Sequence, residues 1–235
     1  MSLSLFQILF DSSMAFEDKL LRFVLPYIGA ALIVIFLILP IHECAHGLVA
    51  HWLGDDTAKR QGRLTLNPLP SIEPLGALFL LLFGFGWAKP VMVDTRNFKH
   101  PRISMALTAL AGPMSNLICG FLGAIVFYGV WTATTGMAPE WVLHLISSYV
   151  SINIGIAVFN MIPLPPLDGS KILGAFLSDK ARMWYYKYQF IFMMLVFVLM
   201  FTSLLDRPLY FLIEGCMSGV EWLASRPFVW AGLLR

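Results

Sequence analysis

Charged residues are scarce in this chain. They make up 13% of its 235 residues, while 58% of the residues are hydrophobic. Soluble globular domains carry about 25% charged and roughly 45–50% apolar residues, so an ordinary soluble domain is excluded and an integral membrane protein is predicted. The formal net charge is only +2 and the basic residues are dispersed, which excludes a nucleic-acid-binding surface.

Cysteine and linker sequence are also sparse. Three cysteines, Cys44, Cys119 and Cys216, lie far apart in apolar sequence, which argues against a disulfide framework and against a cysteine-based zinc site. No Ser/Gly-rich linker, charge block or repeat divides the chain. We therefore expect one membrane-embedded domain over residues 1–235, with its core at about residues 25–200.

Long apolar runs predict the membrane spans. Four runs are long enough to cross a hydrocarbon core of about 30 Å, at about residues 23–53, 103–131, 141–162 and 185–205. Gly112-Pro113 interrupts the second run and predicts a break there. The stretch of residues 208–224 is apolar but contains two glutamates, and fits either an interfacial helix or a further span. Residues 1–22 predict an amphipathic helix at the membrane surface.

Residues 67–97 differ from these spans because their apolar core is too short to cross the membrane. They predict a re-entrant or interfacial hairpin, with a possible short β-strand. Val91 and Val93 alternate after the glycines and suggest a strand edge that holds a substrate extended. A structural turn explains the same glycines equally well. The predicted fold is an all-α polytopic membrane protein with about four to six transmembrane helices.

Basic residues indicate the orientation of the spans. Segments 54–66, 87–102 and 164–187 contain three, four and four Lys or Arg residues, which is 11 of the 16 in the chain. Segment 132–140 contains none. Since basic loops stay on the cytoplasmic side, all three basic segments are predicted to be cytoplasmic.

The first apolar run contains a candidate metal site near its end. His42-Glu43-Cys44-Ala45-His46 matches the His-Glu-x-x-His pattern, and residues four apart on a helix share one face. Both imidazoles can therefore bind one metal ion, with Glu43 placed as a general base rather than a ligand. A charged group at the centre of a transmembrane helix costs about 2.5–3.5 kcal/mol, which a metal ion would explain. A polar cluster that joins neighbouring helices is the alternative.

A catalytic zinc site needs a third protein ligand besides the position kept for water. The candidates are Glu73, Asp94, His100, His144 and Asp168. Asp94 and His100 lie in a polar loop, and His144 begins its span on the opposite side of the membrane. Glu73 and Asp168 both flank apolar segments at the same end as His46, and the residues alone leave both open.

Five motifs occur in order along the chain and carry a resemblance to a known family. They are His42-Glu43-x-x-His46-Gly47, Asn67-Pro68, Phe85-Gly86-Trp87-Ala88-Lys89-Pro90-Val91, Ala111-Gly112-Pro113-x-Ser115-Asn116 and Asn160-x-x-Pro163-x-Pro165-Pro166-Leu167-Asp168-Gly169. Together they resemble the site-2 protease family of intramembrane zinc metalloproteases, in its compact prokaryotic branch without PDZ or CBS domains. The resemblance covers about residues 25–200. It departs at Ser71-Ile72-Glu73-Pro74, where many compact members have His-Ile-Asp-Pro.

The resemblance implies roles for particular residues. Asp168 would be the third zinc ligand beside His42 and His46, with Glu43 as the catalytic base. Asn116 would face the active site and Asn160 would lie near bound substrate, and either amide is expected to bind the substrate backbone or the oxyanion. The expected protein is a zinc-dependent endopeptidase of a prokaryotic inner membrane, with its active site toward the cytoplasm. Its expected partners are the lipid bilayer and transmembrane protein substrates cleaved in regulated intramembrane proteolysis.

Two other functions fit the same residues. One is a membrane-bound peptidase that acts on soluble peptides at the cytoplasmic surface. The other is a non-enzymatic zinc-binding membrane protein, such as a transporter or a scaffold. Glu43 argues against the second, because zinc storage needs ligands but not a base.

Overall fold

The computed structural model of the chain describes residues 17, 20–83, 86–202, 204 and 206–234. Every regular element assigned in these residues is helical, which confirms the predicted all-α fold. The surface helix expected over residues 1–22 lies mostly outside the described residues.

The helices are numbered in chain order through the described part of the chain. They are α1 (Leu20–Trp52), α2 (Thr57–Arg60), α3 (Pro74–Phe83), α4 (Pro101–Ala133), α5 (Glu140–Asn160), α6 (Asp168–Phe176), α7 (Asp179–Lys187), α8 (Gln189–Phe201) and α9 (Asp206–Trp230). A short 3-10 turn, Thr95–Asn97, precedes α4.

Three of these helices, α1, α4 and α5, are long and apolar enough to cross a membrane. They match the first three predicted spans to within a few residues. The predicted span at residues 185–205 is instead divided between α7 and α8. With 13 residues, α8 is about 20 Å long, shorter than a hydrocarbon core of about 30 Å. The stretch at residues 208–224 lies inside α9, which is not one of the three described helices that are long and apolar enough to cross a membrane.

Helix α4 continues for 33 residues through Gly112-Pro113, so the predicted break is wrong. A proline inside a helix removes one backbone hydrogen bond and usually kinks or ends the helix. Here Gly112 and Pro113 are both buried, and α4 packs against α1, α5 and α6 along its length. This packing holds the chain helical across the interruption.

The buried core lies where α1, α4 and α5 pack together. One apolar cluster joins α1 to α3 and α5, with Tyr27, Ile38 and Leu80 among its most buried members. A second cluster joins α4, α5 and α9 around Ile154 and Ala224. The two clusters leave the C-terminal third of α1, which contains His42, Glu43 and His46, facing α4.

Residues 67–83 and 86–97, the described part of the predicted hairpin, form two arms between α1 and α4. The chain enters through α3 and returns through residues 86–94, for which no helix or strand is assigned. The backbone N–H of Lys89 donates to the carbonyl of Ser71 at 2.9 Å. The Arg63 guanidinium donates to the carbonyls of Pro70 and Lys89, on the two arms of the hairpin. The suggested short β-strand is not found in the described residues of this segment.

Tyr27 joins the hairpin to α1. Its hydroxyl donates to the carbonyl of Leu80 at 3.2 Å, and both residues are buried. Tyr27→Phe is expected to lower the free energy of unfolding by about 0.5–1.5 kcal/mol, because the buried carbonyl loses a donor. Thermal unfolding in detergent measures this change. Tyr210→Phe, which removes an exposed hydroxyl bonded to Glu214, is the matched control and should leave the melting temperature unchanged.

Candidate metal centre

His42 and His46 lie one turn apart in the last third of α1, so their imidazoles share one side of the helix. Their Nε2 atoms are 3.1 Å apart. Asp168, the first residue of α6, places Oδ2 at 3.3 Å from Nε2 of His42 and at 3.1 Å from Nε2 of His46. All three side chains are buried. The structure therefore brings both motif histidines together with an aspartate that is distant in sequence.

This donor set fits a zinc ion. Ligands about 2.1 Å from a tetrahedral ion lie roughly 3.4 Å apart, close to the 3.1–3.3 Å between the three donor atoms. Two imidazole nitrogens and one carboxylate oxygen also match the ligand type of catalytic zinc sites, which keep a fourth position for water. Within the described residues, no other group of three His, Cys, Asp or Glu side chains is close enough to bind one ion.

Gly112 of α4 keeps the space in front of the histidines clear. A Cβ atom at this position would lie closer than 3.0 Å to Nε2 of both His42 and His46, a separation that real Cβ atoms do not show. Helix α4 can therefore approach the two nitrogens only because residue 112 has no side chain.

The outer ring nitrogens of both histidines are also paired. Nδ1 of His46 lies 2.7 Å from the carbonyl oxygen of Thr108. A carbonyl only accepts, so this Nδ1 carries the proton and Nε2 presents its lone pair. Nδ1 of His42 lies 2.5 Å from Oδ1 of Asn116, which favours the same tautomer. Both rings are therefore prepared to bind a metal ion through Nε2.

A second buried asparagine holds Asn116. Asn153 of α5 donates from Nδ2 to the carbonyl of Tyr149 at 2.9 Å, and its Oδ1 accepts from Nδ2 of Asn116 at 3.4 Å. Asn116 thus directs its nitrogen to Asn153 and its oxygen to His42. Both asparagines are fully buried. This series of hydrogen bonds orients His42 from α5 through α4.

Glu43 lies beside the donor cluster and contacts the hairpin. Its Oε2 accepts the backbone N–H of Val91 at 2.9 Å. Among the described residues, its Oε1 has no hydrogen-bond partner. One oxygen of the carboxylate is therefore held in place, and the other is available for proton transfer.

Asp168 reaches the histidines because α6 begins very close to the end of α5. A Cβ at Gly169 would lie closer than 3.0 Å to the carbonyl oxygen of Met161, so glycine is required there. The other carboxylate oxygen of Asp168, Oδ1, accepts from Nζ of Lys171 at 2.9 Å. Asp168 thus presents a single oxygen, Oδ2, to the histidines.

A cavity of about 740 Å³ opens beside these residues. Its lining includes His42, Glu43, His46, Asp168 and Lys171. The remaining walls are mostly apolar and come from α3, α4, α5, α8 and the segment of residues 86–93. A cavity of this size and mostly apolar lining, with a few polar groups at one side, is typical of a binding site.

The other candidates for a third ligand have different partners. Glu73 accepts the backbone N–H of Gly76 at 2.6 Å at the start of α3. Asp94 pairs with Arg96, whose side-chain and backbone hydrogen bonds hold the pKa of Asp94 at about 2. His144 packs against Phe23, with ring centroids 4.4 Å apart. His100 is the residue before α4. None of them belongs to the cluster formed by the described residues.

Asn160 and Asn116 occupy different places. Asn160 lines the cavity, and its Nδ2 donates to the carbonyl of Ile156 one turn earlier, at 3.0 Å. Asn116 is fully buried behind His42, with its oxygen and its nitrogen both bonded.

Sequence reasoning missed several residues of the site. Asn153 had a recognisable signal, since an asparagine in the middle of an apolar helix is costly without a partner. The carbonyl of Thr108 and the N–H of Val91 could not be recognised in the sequence, because nearly every residue type has the same backbone groups. Lys171 followed the aspartate by three positions, a spacing at which helical side chains meet.

Gly112 leads to a test of the metal site. Gly112→Ala is expected to lower zinc affinity by at least about tenfold, because the added methyl would displace the two imidazoles. Zinc bound per purified chain, measured by atomic emission across a series of chelator concentrations, gives the affinity. Gly155→Ala is the matched control, since a Cβ at Gly155 meets no atom within 4 Å. Equal zinc binding by both variants would contradict the close approach of α4.

Comparison with known proteins indicates the family to which the chain is similar. The model of peptidase family M50 matches residues 128–203, which contain Asp168 but not the His42–His46 motif. YwhC of Bacillus subtilis is 43% identical over 152 residues, which cover 63% of this chain and 68% of the relative. Rip2 of Mycolicibacterium smegmatis is 27% identical over 198 residues, covering 78% of this chain and 72% of the relative.

A third relative, MJ0611 of Methanocaldococcus jannaschii, is 33% identical over 101 residues, 42% of this chain and 49% of its own length. All three relatives are provisionally named zinc metalloproteases. No solved structure matches the chain. The extent of the match to YwhC, the match to the family model and the clustered donor set lead to one conclusion: this chain belongs to peptidase family M50, the site-2 proteases, and is a zinc-dependent membrane protease.

Proposed function

We propose that this protease hydrolyses peptide bonds in or near the transmembrane segments of membrane-protein substrates. The observation that carries the proposal is the position of the motif on α1, one of the three helices able to cross a membrane. A peptide bond cleaved there comes from within or close to the bilayer. The mostly apolar walls of the cavity support the same class of substrate.

In this proposal His42, His46 and Asp168 bind zinc and Glu43 is the catalytic base. When bound, zinc lowers the pKa of water to about 7 and polarises a carbonyl group. Glu43 takes a proton from the water that attacks the scissile carbonyl and later returns it to the leaving amine nitrogen. The available Oε1 suits this transfer, while Val91 holds Oε2.

The two asparagines have separate roles in this proposal. Asn160 lines the cavity and uses its amide to bind the substrate backbone or the oxyanion. Both polar atoms of Asn116 are already hydrogen-bonded, so Asn116 positions His42 rather than contacting the substrate as its sequence motif had suggested. Partners of this kind behind a metal ligand orient the ring and set its tautomer.

The returning arm of the hairpin offers an edge for an extended substrate. Lys89 and Val91 direct their backbone groups into the protein, toward Ser71 and Glu43. Inward N–H groups two residues apart are the pattern of an extended chain, in which the N–H of the next residue points to the other side, so in this proposal the N–H of Met92 faces the cavity. Met92 lines the cavity and is exposed. We therefore propose that the backbone of Met92, between Val91 and Val93, forms the edge that binds the substrate.

We further propose that the whole chain, residues 1–235, acts as one domain in a prokaryotic inner membrane. The motif lies near the end of α1 that precedes the basic segment 54–66, and Asp168 lies within the basic segment 164–187. By the positive-inside rule this end of the bundle faces the cytoplasm. Its partners are the surrounding lipid and transmembrane substrates cleaved in regulated intramembrane proteolysis.

Glu43→Gln tests the proposed chemistry. The variant is expected to keep one zinc ion per chain. Its kcat is expected to fall by about 10²–10⁴-fold, because an amide cannot accept the proton. The measurement uses purified protein in liposomes with a co-reconstituted reporter that contains one transmembrane segment. Full activity of the variant would exclude Glu43 as the base.

A water-soluble peptide with the sequence of the cleaved reporter region provides the matched comparison for the substrate. The wild-type protein is expected to cleave the membrane-inserted reporter much faster than this peptide. Equal rates would instead identify a membrane-bound peptidase that acts on soluble peptides.

Met92→Pro tests the substrate edge. Proline removes the outward N–H and is expected to lower kcat/KM for the reporter by about tenfold or more, with zinc content unchanged. Met92→Ala keeps the N–H and should retain most of the activity. If the two variants are equally active, the substrate does not bind along this edge.

A further inference from the structure

One carboxylate outside the metal centre is buried and surrounded by hydrogen-bond donors. Asp55 lies in the turn after α1 and is fully buried. Its Oδ1 accepts the backbone N–H and the hydroxyl of Thr57 at 3.1 and 2.5 Å, and Nδ2 of Asn97 at 2.7 Å. Its Oδ2 accepts the backbone N–H of Asp94 at 2.8 Å. Asp55 thus links the end of α1 by hydrogen bonds to residues 94–97, about 40 positions further on.

The partners of Asp55 all donate, so the position requires a group that only accepts. A carboxylate meets this requirement, whereas an asparagine would place its NH₂ group against at least one donor. Burial by itself raises the pKa of Asp55, but the hydrogen bonds from Thr57, Asn97 and Asp94 outweigh it and hold the pKa below its usual value. The carboxylate is therefore stabilised in its ionised form.

Asp55 is connected to the active site through the returning arm of the hairpin. Val91 stands three positions before Asp94 and donates its N–H to Glu43. Met92 and Val93, between them, line the cavity. At the other end of the same arm, the carbonyl of Lys89 accepts from Arg63. The stretch that contacts both Glu43 and the cavity is thus attached at both ends, and Asp55 is the attachment at the α4 end.

We propose that Asp55 is a positioning residue of the protease, which fixes residues 91–94 so that the N–H of Val91 stays on Glu43 and Met92 stays at the cavity. The inference rests on the proposed role of Glu43 as the base. Asp55 itself contacts none of the zinc ligands and does not line the cavity. Only two residues separate Val91 from Asp94, so the chain between them has few dihedral angles with which to absorb a shift of the Asp94 N–H.

Asp55→Asn and Asp56→Asn form a matched pair of variants. Both replace a carboxylate by an amide of the same shape in one turn, but Asp56 is exposed and pairs with His51. Asp55→Asn is expected to keep one zinc ion per chain while kcat for the membrane reporter falls about tenfold or more, since small misplacements of reacting groups are costly. Asp56→Asn should stay within about twofold of the wild type.

Hydrogen exchange measured by mass spectrometry separates positioning from general stability. Peptides covering residues 91–97 are expected to exchange faster in Asp55→Asn than in Asp56→Asn, with exchange in α4 and α5 unchanged. A folded, zinc-loaded Asp55→Asn protein with wild-type kcat would overturn the proposal, even if its melting temperature is lower. Loss of zinc from Asp55→Asn would overturn it as well, because the effect would then not pass through Glu43.

If Asp55→Asn does not fold, Asn97→Ala tests the same proposal. It removes the Nδ2 donor to Asp55 and leaves the carboxylate in place. The same result is expected, a lower kcat with zinc retained, and a wild-type kcat would overturn the proposal. A different result would reject the proposed function itself. Full activity of Glu43→Gln would show that Glu43 is not the catalytic base, whatever the Asp55 variants show.

Discussion

The pairing of buried polar groups is the constraint on which the rest of this structure depends. His42, His46 and Asp168 are costly in an apolar interior unless they contact one another and a cation. Their outer atoms follow the same rule: Thr108 and Asn116 engage the histidines, Lys171 engages Asp168, and Asn153 engages Asn116. The metal centre is therefore the inner part of a larger polar network. Helices α1, α4, α5 and α6 each contribute to it, so their packing and the geometry of the site depend on each other.

The hairpin extends this network to the cavity beside the metal centre. Its returning arm donates to Glu43 through Val91 and forms part of the cavity wall, so one short segment contacts both the proposed catalytic base and the cavity. The segment contains no regular element that would hold it by itself. Its position depends on Arg63 and Ser71 at one end and on Asp55 at the other. A precise site can thus include irregular backbone in a membrane protein, provided that its polar groups are paired.

Much of the fold could be predicted because the bilayer imposes strong rules on composition. The runs at α1, α4 and α5 were recognisable from length and apolar content alone. The predicted helix boundaries were wrong where tertiary packing outweighed the preference of the local sequence. Gly112-Pro113 predicts a helix break, but burial against α1 holds the turn helical, and Gly112 is needed for the approach to the histidines. The run at residues 185–205 looked like one span and is divided at Tyr188, where the structure begins a new helix of 13 residues.

The site shows the same division between local and long-range information. Four-residue spacing on a helix is a local property, so the sequence alone placed His42 and His46 on one face with Glu43 beside them. The choice between Glu73 and Asp168 as the third group depends on which loop folds back onto α1, and such a contact follows from the packing of whole helices. The same holds for the N–H of Val91 and the carbonyl of Thr108, since backbone groups are chemically alike along the chain. Their importance comes from their position, which exists only once α1, α4 and the hairpin have packed together.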